Sequence, residues 1–356
     1  MRLSLVFGVI GHLLLLFAPA FLAPLGLAFF QGHYESAGYF AISLGLTAGV
    51  GWSVGLLFPR APLLWRGEAL AIVAGTWLVV GVFSALPYMF FGLSPIDAVF
   101  EAISGLTTTG ATVLTDFTVY DDAFFLWRAM TQWFGGLGVI ALFVVVLPRL
   151  GIAGRQLFFA EASISTSEGV SPQIRDAARK LWILYMGLTA LLAGLLMLAG
   201  FDLYNGIVHA LTTMSAGGFS PNGRSIEGFG NANAEWILVV FMVLSGTSFP
   251  LQWRFFSGRL MAFFRDGEFV VYLLFMAAAA LILSMLLPGG ITGAGNLRAS
   301  SFQVASLTSS TGYASVDYQA EWSYAAKAML VVVMLVGGCA GSACGGPKVI
   351  RYILCL

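Results

Sequence analysis

Charge is scarce in this sequence. Only 10% of its 356 residues are charged, 17 basic and 17 acidic, while 59% are hydrophobic. A soluble domain carries about a quarter charged residues, so that class is excluded. A formal net charge of zero also leaves no basic field for a nucleic acid, and none is expected as a partner. Cysteine is nearly absent, and Cys339, Cys344 and Cys355 all fall at the C-terminal end. With His12, His33 and His209 scattered, no ligand spacing for a transition metal can be drawn, and the two cysteines in the last apolar segment, Cys339 and Cys344, read as small apolar packing. Paired carboxylates and nucleophile–base pairs are missing from the apolar segments, so an enzyme is not expected.

Long apolar runs dominate instead. Segments of at least ~18 apolar residues cross a bilayer as helix, and such runs lie near 3–30, 37–58, 68–91, 124–148, 177–200, 233–253, 268–288 and 325–346. The chain is therefore expected to be an all-α polytopic membrane protein. Arg2 and the stretch "APAF" imitate a signal peptide, but the first run continues past a signal core and reads as a retained helix. With the N-terminus cytoplasmic and sides alternating, every basic residue except Arg128, Arg224, Arg298 and Lys327 falls inside. Most acidic residues, among them Asp97, Glu101, Asp116, Asp121, Asp122, Asp202, Asp317 and Glu321, fall outside, where a cation would enter.

Three outer connections repeat one another: "AVFEAISGLTTTGATVLTDF" (98–117), "NGIVHALTTMSAGGFSPNGR" (205–224) and "SFQVASLTSSTGYASVDYQA" (301–320). Each joins a helix too short to span to a Ser/Thr cluster, a glycine and a polar loop, and Gly110, Gly217 and Gly312 are placed as equivalents. Non-helical backbone at membrane depth must line water or be buried in protein. A half-length helix directs its partially negative end inward, where a cation is favoured, and Thr and Gly carbonyls can replace its hydration shell. Ser/Thr/Gly clusters also let helices pack closely, but three at matching positions favour a pore lining. A second irregular stretch, "GGCAGSACGG" (337–346), has too many glycines for a helix interior. No strand precedes it and no Lys-Ser/Thr pair follows, so it is not read as a phosphate loop. Glu101 is expected to brace the first loop, His209 to pack or bond within the second short helix, and Gly135, Gly136 and Gly138 to allow close helix packing.

On "FEAISGLTTTGATV", "GGCAGSACGGPKVIR", "QWFGGLGVI" and "FFRDGEF", the chain resembles the Trk/Ktr/HKT potassium-transporter superfamily, TrkH type. The resemblance implies helix–pore-loop–helix repeats around a central ion pore, preceded by two extra transmembrane helices. It divides the chain into residues 1–66, a first repeat 67–150, a second 151–260 and a third 261–356, with a fourth repeat expected but absent from these residues. It implies a selectivity filter of Thr108, Thr109, Gly110 and Ala111, then Ser215, Ala216, Gly217 and Gly218, then Ser310, Thr311, Gly312 and Tyr313. It implies an intramembrane gate formed by Gly337, Gly338, Cys339, Ala340, Gly341, Ser342, Ala343, Cys344, Gly345 and Gly346. Ala343, Cys344 and Pro347 depart from the usual pattern there. K⁺ is implied as the transported ion with no covalently bound cofactor, and the partners implied are the lipid bilayer, a second copy in a homodimer and a cytosolic nucleotide-binding regulatory subunit (TrkA-like). The location implied is the cytoplasmic membrane of a bacterium. The alternatives are a Na⁺-permeable cation transporter, or a secondary transporter with a midplane site made by broken helices.

Overall fold

The computed structural model describes residues 2–58, 66–141, 172–293 and 295–355. Arg60, Arg149, Arg155, the inner end of the expected span 124–148 and the expected boundary at residue 150 lie outside the described residues. Within them the chain is helical, with no strand. The helices are α1 (Leu3–Phe17), α2 (Leu22–Phe30), α3 (Tyr34–Leu57), α4 (Arg66–Ser84), α5 (Leu86–Phe90), α6 (Pro95–Leu106) and α7 (Asp122–Ala141). There follow α8 (Pro172–Leu198), α9 (Leu203–Met214), α10 (Ala232–Ser245), α11 (Phe249–Phe256), α12 (Ala262–Arg265), α13 (Gly267–Leu286), α14 (Asn296–Thr308), α15 (Tyr318–Glu321), α16 (Tyr324–Met334) and α17 (Val349–Cys355).

Among the described residues, five segments are long and apolar enough to cross a bilayer: Leu3–Phe30, Tyr34–Leu57, Gly67–Phe90, Asp176–Leu198 and Gly267–Leu286. Their outward faces carry Leu56, Leu57, Leu78 and Leu198, all strongly exposed, which is the surface a bilayer requires. The chain is a polytopic membrane protein. Two expected spans are not straight helices. The run 233–253 breaks between α10 and α11 at an angle of 109°, and the run 325–346 is helical only as far as Met334.

The break after α10 has local causes. Gly246, Thr247 and Ser248 interrupt the ladder, and Pro250 opens α11. The Gln252 amide donates to the freed carbonyls of Leu244 and Thr247 at 2.8 and 2.9 Å.

Small residues set the helix contacts. A Cβ on Gly51 of α3 would lie 2.7 Å from the Leu15 backbone of α1, and one on Gly135 of α7 would lie 2.0 Å from the Leu106 carbonyl ending α6. Gly136 and Gly138 similarly receive Tyr185 and Trp77, so all three glycines expected to allow close packing do so. One core joins α2, α3 and α7, where Trp127 stacks on Phe21 at 4.4 Å and donates to the Ser84 carbonyl at 3.0 Å. A second joins α8 to α17. Arg2 and Glu68 pair at 2.8 Å, so α1 and α4 begin on the same side.

Candidate functional site

Helices α6, α9 and α14 have 12, 12 and 13 residues. At 1.5 Å per residue each is about 18–20 Å long, too short to span. The first two open on side-chain caps, Ser94 accepting from Asp97 N–H and Asp202 from Asn205 N–H.

All three close alike. Thr108 N–H donates to the Gly105 carbonyl and Thr109 N–H to the Ser104 carbonyl; Ala216 and Gly217 repeat this on Thr213 and Thr212, and Ser310 and Thr311 on Leu307 and Ser306. These paired bonds form the Schellman termination, whose first residue past the helix cap is left-handed. Glycine normally stands there, yet here the residues are Thr108, Ala216 and Ser310, with φ of 54°, 55° and 55°. Two residues later Gly110, Gly218 and Gly312 are left-handed again, at 77°, 74° and 83°. Left-handed residues thus stand at the first and third positions of each loop.

This pattern corrects the register of the second loop. Gly218 is the counterpart of Gly110 and Gly312, and Gly217 matches Thr109 and Thr311. Adjacent glycines in "SAGG" leave the sequence ambiguous, and the helix-end hydrogen bonds resolve it. The second stretch equivalent to Thr108–Ala111 is therefore Ala216–Phe219, one residue beyond Ser215–Gly218.

The loops also meet in order. A Cβ on Gly110 would lie 2.3 Å from the Gly217 carbonyl oxygen, and one on Gly218 would lie 1.7 Å from the Thr311 carbonyl oxygen. The first and second loops thus press their left-handed glycines onto the matching carbonyl of the next. At Gly312 nothing lies within 4 Å. Gly217 and Thr311 are buried, whereas Thr107 and Thr109 of the first loop are exposed. The same Cβ on Gly110 would lie 3.9 Å from the Thr311 carbonyl oxygen, so the three loops converge. Tyr313 turns its side chain away behind the loops, bonding to Thr212 and, at 3.3 Å, to Thr213.

A buried polar side chain stands behind each loop at one position of the short helix, and two of the three brace their loop. Glu101 of α6 accepts from Thr112 Oγ1 at 3.0 Å and from Val113 N–H at 3.2 Å, which is the brace expected for it. His209 of α9 bonds through Nε2 to Ser220 Oγ at 3.1 Å and through Nδ1 to the Asn205 carbonyl at 2.8 Å. Gln303 of α14 occupies the third such position, fully buried, but residue 314 is alanine. Neither amide atom of Gln303 has a partner among the described residues, nor does the buried Ser315 hydroxyl.

Two residues of α7 were not singled out in the sequence as supports. Arg128 is buried and bonds Glu101 at 2.7 Å, Thr112 at 3.1 Å and the Ser220 carbonyl at 3.3 Å, with its guanidinium 3.9 Å from the Phe219 ring. Gln132 donates to the Gly217 carbonyl at 2.7 Å and accepts from Phe219 N–H at 3.1 Å, behaving toward the second loop like a neighbouring strand. A charge and an amide inside an apolar segment were the available signals. In the exposed segment that follows the first loop, the Thr118 hydroxyl and N–H hold the Asp116 carboxyl below its ordinary value.

The glycine-rich stretch is non-helical from Leu335 to Lys348, with Gly337, Gly341 and Gly346 left-handed. Its polar backbone is held on several sides. Cys339 N–H donates to the Gly246 carbonyl at the α10 break, Ala343 N–H to the Ser245 carbonyl, and Gly341 accepts from Phe249 N–H. Glu268 of α13 accepts from Ala340 N–H at 2.7 Å and Ile350 N–H at 3.1 Å. Lys348 donates to the Cys344 carbonyl at 2.7 Å, the Ser342 hydroxyl at 3.2 Å and the Cys339 carbonyl at 3.3 Å. Gly345 N–H donates to Ser310 Oγ of the third loop at 2.9 Å. The stretch is thus joined to the third loop, and Glu268 and Lys348 are further supports that the sequence reading did not single out.

Residues 67–355 match the TrkH family of cation transport proteins. The chain belongs to that family. Among TrkH relatives, the Trk system potassium uptake protein TrkH of Halomonas elongata is 36% identical over the whole chain and 75% of its own length. The TrkH protein of Escherichia coli K12 is 36% identical over 81% of the chain. The crystal structure of the potassium transporter TrkH from Vibrio parahaemolyticus superimposes with a TM-score of 0.88 at 30% identity, over all of this chain and 74% of that one. The chain spans three quarters of the Halomonas TrkH protein and 61% of the Escherichia coli one. TrkH proteins are transporters and not enzymes, which agrees with the lack of catalytic constellations in the sequence.

Proposed function

We propose that this chain forms most of a potassium-uptake pathway, in which Thr108–Ala111, Ala216–Phe219 and Ser310–Tyr313 line a selectivity filter and Gly337–Gly346 is the gate. The observation that carries the reading is the shared alternation of left-handed residues at 108 and 110, 216 and 218, 310 and 312. Each pair follows a short helix whose carbonyl end points the same way along the chain. Alternating hand directs successive carbonyls toward one side, which is what a dehydrated cation needs. The names of the TrkH relatives supply K⁺ as the cargo.

The same reading places the N-terminus in the cytoplasm of a bacterial cell, in its cytoplasmic membrane, on the distribution of basic residues. A homodimer and a cytosolic nucleotide-binding regulator belong to it on family membership alone.

The test is Gly110→Ser in the full-length protein. A side chain at φ 77° would also collide with the Gly217 carbonyl, so K⁺ over Na⁺ uptake should fall at normal membrane abundance. An unchanged ratio of the two ions would remove the filter assignment.

A further inference from the structure

The glycine-rich stretch reaches the pore loops through the Gly345 N–H, which donates to Ser310 Oγ at 2.9 Å. Ser310 is the left-handed residue that begins the third loop. Its counterparts are Thr108, whose hydroxyl has no hydrogen bond among the described residues, and Ala216, which has no hydroxyl. Of the three described loops, the third alone has its side-chain oxygen at this level bonded to the glycine-rich stretch.

A serine oxygen has two lone pairs. A peptide N–H seated on one of them brings the positive end of its dipole to where a cation coordinated by the other would sit. The two occupants repel each other at close range and in a site with little water, where charges are poorly screened. Gly345 is exposed and is followed by Gly346 at φ 76°, so the donor lies at a glycine pair, while Lys348 anchors the preceding Cys344 carbonyl.

We propose that Ser310 couples filter to gate: its hydroxyl oxygen is held by the Gly345 N–H while the glycine-rich stretch is seated, and faces the transported cation when that stretch withdraws. This rests on the filter-and-gate reading above. Cation entry at the inner end of the filter and seating of the gate then oppose one another. Ser310 acts here as a positioning residue for the gate as well as a lining residue of the third loop.

The experiment measures Rb⁺ flux in proteoliposomes of the full-length protein without regulator, over a series of outer K⁺ concentrations. Four forms are compared: the parent, Ser310→Ala, Ser310→Thr, and a form lacking Gly345 and Gly346. Loss of one net hydrogen bond from the seated state should raise basal flux in Ser310→Ala by ~2- to 10-fold. In the parent, outer K⁺ should increase the open fraction, and Ser310→Ala should lose that dependence. Ser310→Thr should restore both, since Thr108 already holds this backbone conformation at φ 54°. If the shortened form is more active while Ser310→Ala keeps parental flux and K⁺ dependence, the coupling is wrong and the gate stands. If Ser310→Ala changes flux but Ser310→Thr fails to restore the K⁺ dependence, the hydroxyl is not the link and the coupling is again overturned. If neither Ser310→Ala nor the shortened form raises flux, the gate assignment falls and takes the coupling with it.

Discussion

Replacing Gln132 by leucine removes a single side chain that organises another repeat's loop. Gln132 is fully buried in α7 and satisfies the Gly217 carbonyl and the Phe219 N–H, both of which are also buried. Leucine has nearly the same volume, so the change adds little cavity cost. It leaves two backbone groups without partners, each at about 1–3 kcal/mol, or roughly 2–6 kcal/mol together. The second loop can escape that penalty only by turning the Gly217 peptide elsewhere. Every 1.4 kcal/mol recovered in this way shifts the balance between ordered and reoriented loop about tenfold. K⁺ over Na⁺ flux in proteoliposomes should therefore fall by about an order of magnitude. Gln132→Glu separates the two bonds, because a carboxylate still accepts from Phe219 N–H but sets an anionic oxygen against the Gly217 carbonyl. Parental ion ratios in both variants, with normal insertion, would refute the view that this amide orders the second loop.

Two glycines at equivalent positions should respond unequally to alanine. Gly218→Ala meets the Thr311 carbonyl at 1.7 Å in addition to its positive φ, whereas Gly312→Ala meets nothing within 4 Å and bears only the ~1–2 kcal/mol of a left-handed side chain; thermal unfolding in detergent of residues 1–356 should rank the first well below the second. Lys348→Met removes three hydrogen bonds from the glycine-rich stretch and should raise Rb⁺ flux severalfold, with a flux at or below the parent's counting against a restraining role.

The three pore loops were legible because they combine features that rarely coincide: an apolar helix too short to span, a hydroxyl cluster and a glycine, repeated along the chain. Composition separated membrane from soluble chain, and the brace on Glu101 followed from a carboxylate placed just before a threonine-rich turn. The register of the second loop was not legible, since Gly217 and Gly218 are alike as letters and differ only in which one follows a left-handed Ala216. The supporting role of Arg128 and Gln132 was not legible for a different reason. Arg128 bonds Glu101 and Thr112 of its own repeat, but it and Gln132 also reach Ser220, Gly217 and Phe219 in another repeat, and no local pattern ties residues so far apart. The break after Ser245 was hidden by hydrophobicity, which continues through α11 although the helix turns by 109°.

The supports at Glu101, His209 and Gln303 hold equivalent places with three different side chains: a carboxylate, an imidazole and an amide. In a pore assembled from identical subunits, one codon change alters every wall at once, and a variant that suits one position must be tolerated at all of them. Here each wall has its own codons. A single substitution can brace one loop, place a hydrogen-bond link to the glycine-rich stretch at Ser310 and omit it at Ala216, or leave the buried Gln303 amide without a partner among the described residues where Glu101 and His209 have theirs. Internal duplication thus frees the walls of one passage to diverge into parts with separate duties.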